Sequence, residues 1–373
     1  MGRHFINSVT LLLKRCRGWS HNGEDEAHRT RPGSLRWGAV LIMHAELAKR
    51  IIPRPLQRSL RLTLSYTAHP GLAYSSIWPI GEIVAALRRP KSPSILLISL
   101  PRAGSTWVGR ILGSSDESLY LDEPLTQSYL DLMGKRASFF EYDACENKVI
   151  YDRLATLAFQ GVPRFIERIV PYPEQWSIFG RHVKRVVVKE INLLVLEVLM
   201  KRFRPRIVYL LRHPVAVARS FHSLGWNGDQ FRERFATSTL SSLEERFRIP
   251  YGADFWEQSG ALQAIVQNTT MDTMAAPADY TVVRYEDICN DPVGEFSKLF
   301  DFCELPFSSK DRQRIEDSTN EKTAYRPGGY DIARNSKEMV DRWRTDVSRE
   351  NVERVRNGYF ANRPLFYTND TEW

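Results

Sequence analysis

At 373 residues, 43% hydrophobic and 26% charged, the chain has room for one large or two ordinary domains and enough apolar residues to bury a core. That excludes a disordered or fibrous protein. Its 52 Lys and Arg against 44 Asp and Glu leave a formal charge of +8 and suit an anionic ligand or surface. No stretch reaches the ~18 consecutive apolar residues of a membrane span.

Residues 1–90 read as a basic, partly helical extension, with eleven Lys and Arg against four Asp and Glu in residues 1–60. The apolar run Val9–Leu13 meets Lys14, Arg15 and Arg17 directly, which is not a secretory signal pattern. A packed terminal helix over Phe5–Trp19, or one lying in a membrane interface as a peripheral contact, accounts for it. Residues 18–36 are polar and turn-rich and read as a linker. Residues 37–65 have helical spacing, and Ile80–Leu87 reads as a short helix before a turn at Pro90–Pro93. Cys16, Cys145, Cys289 and Cys303 show no redox or metal-ligand spacing, and no HxxxH or HExxH pattern occurs. Free thiols in a reduced, cytoplasmic setting are expected.

From residue 91 to 373 the pattern is that of a single α/β domain. Ile95–Ile98 is a buried strand. A small-residue loop, Pro101 to Thr106, leads into a helix beginning near Gly104, with Trp107, Val108, Ile111 and Leu112 on its apolar side. Leu119–Leu121 is a second short strand, ending at Asp122-Glu123-Pro124. Residues 134–183 are aromatic and basic without clean periodicity, as in a helical insertion beside the core. Strands follow at Arg185–Ile191, Arg206–Leu211 and Tyr280–Tyr285, alternating with helices at Leu193–Phe203, from Pro214, at 253–276 and at Pro292–Phe302. Further helices are expected at 309–317 and 337–357, with a turn at Arg326-Pro327-Gly328-Gly329 between them. The alternation predicts a central parallel sheet flanked by helices, a P-loop-like fold that binds its ligand outside the carboxyl ends of the strands. Arg102, Glu123, Lys189, Arg212 and Glu286 all fall at or just past such ends.

Two stretches carry chemistry. PRAGSTW, residues 101–107, places a tight loop before a helix N-terminus, where unpaired N–H groups and the positive end of the helix dipole bind an anion. It lacks GxxxxGK[ST] and is short enough to wrap one phosphate rather than a triphosphate, which argues against a nucleotide kinase. The second stretch is Arg212 to Ser220, in which a strand-end guanidinium and a hydroxyl eight residues on suit a second phosphate.

In this order, on these elements, the two stretches resemble those of sulfotransferases that use 3′-phosphoadenosine 5′-phosphosulfate. The resemblance continues through VVRYEDICNDPVGEFSKLFDFCELPF (282–307) and ARNSKEMVDRWR (333–344), the latter like bacterial and carbohydrate-type members. It implies that Arg102, Ala103, Gly104, Ser105, Thr106 and Trp107 hold the 5′-phosphosulfate, that Arg212 and Ser220 hold the 3′-phosphate, and that no metal is needed. The catalytic His of phenol- and steroid-type members, two residues after a strand-borne Lys, is replaced by Ile191 after Lys189. Carbohydrate-type relatives use a carboxylate instead, and Glu123 in YLDEPL matches its place. The candidate catalytic residues are therefore Glu123 as general base, with Glu190 the rival, and Arg102 and Lys189 as stabilising cations. The implied acceptor is a hydroxyl on a carbohydrate or other small molecule, and no nucleic-acid partner is expected. Two other classes remain open: a P-loop-like phosphotransferase, and a non-catalytic anion- or membrane-binding protein working through its basic N-terminus. Oligomeric state is not legible.

Overall fold

A computed structural model describes residues 80–373, apart from 135–136, 144–147, 163–164, 166–167, 250–253, 276–278 and 320–335. The expected N-terminal helices and linker, and the turn at Arg326–Gly329, lie outside these residues. All described residues belong to the unit Arg58–Trp373.

The elements run α1 (Ile80–Leu87), β1 (Lys91–Ser99), α2 (Ser105–Gly113), β2 (Ser118–Asp122), α3 (Pro124–Met133), α4 (Lys148–Phe159), β3 (Arg185–Glu190), α5 (Leu196–Phe203), β4 (Arg206–Leu211) and α6 (Pro214–Ser223). They continue with α7 (Asp229–Arg232), α8 (Thr237–Arg246), α9 (Phe255–Met274), β5 (Tyr280–Arg284), α10 (Tyr285–Asn290), α11 (Pro292–Phe302), α12 (Ser309–Thr319), α13 (Ser336–Asp346) and α14 (Arg349–Phe360).

The five strands form one sheet in the order β2-β3-β1-β4-β5, with every pairing parallel. This is the expected α/β architecture. β1 lies in the centre, and the chain builds first to one side of it and then to the other. The loop after β1 therefore sits at a topological switch point, where such sheets bind ligands.

Strand alternation divides the core. Leu96, Ile98, Leu121, Val186, Val188, Ile207 and Tyr209 face one layer, with Leu125, Leu196 and Ile265 packed there. Ile95, Leu97, Tyr120, Val187, Val208 and Leu210 face the other, against Val108, Leu112, Ile288 and Phe296. Both faces are apolar because both are covered, as parallel sheets require.

Several boundaries differ from the sequence reading. β1 begins at Lys91, so Pro93 lies in a strand rather than a turn. Glu286 belongs to α10, which starts directly after β5. The single helix expected over 337–357 is two, because Ser348 caps α14 by accepting from the Asn351 N–H. Between β2 and β3, where a helical insertion is expected, stand α4 and 3-10 turns at Pro173–Trp176 and Arg181–Val183. No described helix is long and apolar enough to cross a membrane.

Candidate active site

β1 stops at Ser99, and α2 begins at Ser105, five residues intervening. The reversal needs left-handed backbone at Arg102 (φ 69°) and Gly104 (φ 95°). Gly104 is required twice over, since a Cβ there would overlap the ring of Tyr285 packed beneath it. The N–H groups of Trp107 and Val108 go to the Gly104 carbonyl at 3.0 and 3.3 Å, and that of Ala103 to Leu100. Those of Gly104, Ser105 and Thr106 meet no protein acceptor among the described residues. Three N–H groups at the positive end of α2 thus form a cradle of the kind that suits an anion.

The second element closes on the first. Arg102 Nε donates to Ser220 Oγ at 2.8 Å, across 118 residues of sequence. Arg212 Nη1 donates to the Arg102 carbonyl at 3.0 Å, and its guanidinium lies 4.4 Å over the Tyr285 ring. Tyr285 therefore supports both the loop and Arg212. Arg102, Arg212 and Ser220 form one group, with the backbone of Arg102 in the cradle loop and its guanidinium at the Ser220 end.

The third element stands at the Thr106 end. Lys189 on β3 pairs in register with Leu97 and Asp122. Its alternation points it to the α2 face, where Nζ reaches Asp122 at 3.2 Å, Thr106 Oγ1 at 3.4 Å, and Glu123 in a close ion pair. The Lys189 side chain is 1% exposed and that of Glu123 17%. Glu123 sits at φ 51°, between β2 and α3, and its second carboxylate oxygen accepts from Gln127, whose own oxygen accepts from Arg168 at 2.6 Å. Burial pushes the Glu123 carboxyl up, but the ammonium of Lys189 and the hydrogen bonds from Lys189 and Gln127 outweigh it and hold the group below its usual range. Burial depresses Lys189, and Glu123 and Asp122 more than reverse this, so its pKa is raised. Both partners are charged at neutral pH.

Some candidates sit elsewhere. The Trp107 ring turns inward, edge-on to Tyr285 and Phe296, with Nε1 donating to Ser318 Oγ at 2.9 Å, so it is a core residue. Ala103 is buried in the turn. Glu190 points to the face opposite Lys189 and is 1% exposed. Glu286 accepts from the His213 N–H at 2.9 Å and the Tyr367 hydroxyl at 2.8 Å, and so ties α6 to the C-terminal segment. His213 stacks on Trp343 at 4.4 Å, and burial and the nearby Arg344 lower its pKa to about 3. Gln127 was not a candidate; its place four residues after Glu123, on a helix opened by Pro124, is the signal that points to it. Among the described residues no three His, Cys, Asp or Glu side chains group as a metal site.

The site thus joins a loop and helix N-terminus at the switch point of a parallel sheet to a guanidinium–hydroxyl pair one crossover away. Residues 92–361 match the sulfotransferase domain model, and the chain belongs to that family. Human carbohydrate sulfotransferase 1 is 24% identical over 178 residues, 47% of this chain and 41% of that protein. Human carbohydrate sulfotransferase 2 is 25% identical over 210 residues, 50% of this chain and 39% of that protein. The chain thus spans about two fifths of the length of these relatives. Among solved structures, the sulfotransferase domain from the curacin biosynthetic pathway is 15% identical, with a TM-score of 0.37, covering 71% of this chain and 96% of that one. Mouse sulfotransferase SULT7A1 complexed with PAP is 14% identical, with a TM-score of 0.38, covering 78% and 91%.

Proposed function

We propose that the chain transfers a sulfuryl group from 3′-phosphoadenosine 5′-phosphosulfate to a hydroxyl of a carbohydrate or glycosylated metabolite. One observation carries this reading: two anion-binding elements far apart in sequence meet through Arg102, Ser220 and Arg212, with an ionised carboxylate and an ammonium beside the cradle. The residues fit a donor charged at both ends. The N–H groups of Gly104, Ser105 and Thr106 and the hydroxyls of Ser105 and Thr106 would hold the 5′ end, and Arg212 and Ser220 the 3′-phosphate, with Arg102 bridging them. When bound, the donor supplies the sulfuryl group and a bisphosphate leaving group.

Glu123 is the general base. It is 17% exposed, ionised at neutral pH, and placed at the Thr106 end of the cradle through Lys189, so it can take the proton of an attacking hydroxyl. Lys189 has two tasks: it keeps Glu123 ionised and brings a positive charge to where charge grows on the reacting oxygens. Gln127 and Arg168 orient the far carboxylate oxygen.

The test is incubation with ³⁵S-labelled donor and a panel of glucose, galactose, N-acetylglucosamine and their disaccharides, with calorimetry of adenosine 3′,5′-bisphosphate. Label transfer together with nucleotide binding that weakens in Arg212→Ala is expected. Neither transfer nor binding, or magnesium-dependent ATP turnover that survives Arg212→Ala, overturns the reading.

A further inference from the structure

Lys189 and Glu190 are neighbours on β3 with opposite destinations. Lys189 goes to the α2 face and pairs with Glu123. Glu190 goes to the other face and meets the first turn of α3. Its Oε1 accepts from the N–H of Leu125 at 2.6 Å and of Thr126 at 3.2 Å. Its Oε2 accepts from Thr126 Oγ1 at 2.7 Å and the Ile191 N–H at 3.3 Å.

These are the bonds a capping side chain normally makes. A helix leaves its first N–H groups unpaired, and the residue before the helix usually satisfies them with its own side chain. Here that residue is Glu123, and it makes no cap bond. Its carboxylate is committed to Lys189 and Gln127. Pro124 at the first helical position has no N–H to satisfy. The next two N–H groups are those of Leu125 and Thr126, and Glu190 takes both. The backbone adds a second tie, since the Glu123 N–H donates to the Lys189 carbonyl at 2.7 Å.

We propose that Glu190 is the positioning residue of the site: by capping α3 in place of Glu123 it holds the left-handed turn at Glu123 and leaves that carboxylate free to face Lys189 and the acceptor. This rests on Glu123 being the base. A group so enclosed, with both oxygens engaged by fixed donors, does not reach an acceptor hydroxyl. Nor does the arrangement require a negative charge. Burial pushes the Glu190 carboxyl up to about 7. In the protonated form the carbonyl oxygen still accepts both N–H groups, and the hydroxyl can donate to Thr126 Oγ1.

That separates the two roles experimentally. A glutamine keeps the bonds to α3, accepting from Leu125 and Thr126 through its oxygen and donating to Thr126 Oγ1 through its amide, and gives up only the long contact from the Ile191 N–H, but it cannot act as a base. In the full chain, Glu190→Ala should lower kcat in the labelled-donor assay by about 10²-fold, the scale of a misplaced catalytic group. The donor KM and the affinity for adenosine 3′,5′-bisphosphate should hold, and Glu190→Gln should restore most of the rate. Glu123→Gln should not be so spared. A loss in Glu190→Gln as deep as in Glu123→Gln makes Glu190 the base and overturns the proposal, as does an unchanged kcat in Glu190→Ala. Crystal structures of the two variants give the answer without turnover. Glu123 should leave Lys189 in the alanine variant and stay in the glutamine variant; a Glu123 unmoved in the alanine variant overturns the assignment. Failure of the unaltered chain both to transfer label and to bind the bisphosphate strikes at the sulfuryl-transfer reading itself.

Discussion

At the scale of single residues, the site turns on one ion pair. Glu123 is drawn below the ordinary glutamate range by Lys189, against the upward push of burial. It therefore stays ionised until the pH falls below the usual value of about 4.3. The sign follows: the carboxylate is ionised for the proposed base role, and its pairing stabilises the fold, above that range, and both are lost as pH falls through the lowered folded-state value. The acid limb of kcat against pH should accordingly lie below pH 4.3 wherever the protein remains folded. Lys189→Met removes the ammonium and leaves Glu123 with burial and the nearby Asp122. Its acid limb should move to higher pH, and a limb that stays put would show that Lys189 does not set the ionisation of Glu123. Glu123→Gln should lower kcat by about 10²–10⁴-fold with nucleotide affinity retained, and should lower the melting temperature because the buried Lys189 loses its charged partner.

At the scale of elements, the cradle is a strand, a strained loop and a helix start resting on the ring of Tyr285. Arg102 and Glu123 both adopt left-handed backbone without being glycine, on the order of 1–3 kcal/mol each, and both belong to the site. Gly104 carries the same demand where a Cβ has no room. Gly104→Ala combines the backbone penalty of about 1–2 kcal/mol with a displacement of Tyr285, and so of Arg212. Affinity for adenosine 3′,5′-bisphosphate should fall at least tenfold by calorimetry, since 1.4 kcal/mol is already tenfold. Wild-type affinity in that variant would mean that the loop does not bind the ligand. In the centre of the sheet, Leu97 is wholly buried between β3 and β4. Leu97→Ala should cost about 2–5 kcal/mol in urea unfolding.

At the scale of the molecule, the C-terminal helices brace the Arg212–Ser220 element from behind. Val215, Ala216 and Ala218 of α6 share a cluster with Trp343, Val347 and Val355, and His213 stacks on Trp343. α14 can approach α9 closely because glycines meet there. A Cβ on Gly260 would strike the Val355 carbonyl, and one on Gly358 the Glu257 carbonyl. Backbone cannot yield as a flexible side chain can, so Gly260→Ala and Gly358→Ala should each destabilise by about 1–3 kcal/mol or more. Equilibrium unfolding checks this, and stability equal to the wild type would show that the helices separate without penalty.

The sequence by itself determined the strands and helices with strong local signals: the apolar runs of β1, β3 and β4, the loop before α2, Pro at the start of α6 and α11, and the Asp-Glu-Pro turn. These rest on periodicity and backbone preference, which act over a few residues. Helices α3 and α8 escaped that reading. TSTLSSLEER is half Ser and Thr, PLTQSYLDLM follows a strand directly at the Asp-Glu-Pro turn, and packing of Leu125 and Leu243 into the core holds the two helices. Only the tertiary structure decided how the polar residues divide. Strand alternation makes Lys189 and Glu190 opposites, but the order β2-β3-β1 and the placement of α2 and α3 determine which of them meets Thr106 and which meets a helix end. Likewise the path of Arg102 to Ser220 and of Trp107 into the core depends on elements more than a hundred residues away. Such contacts are set by the packing of layers, to which local sequence contributes residues but not directions.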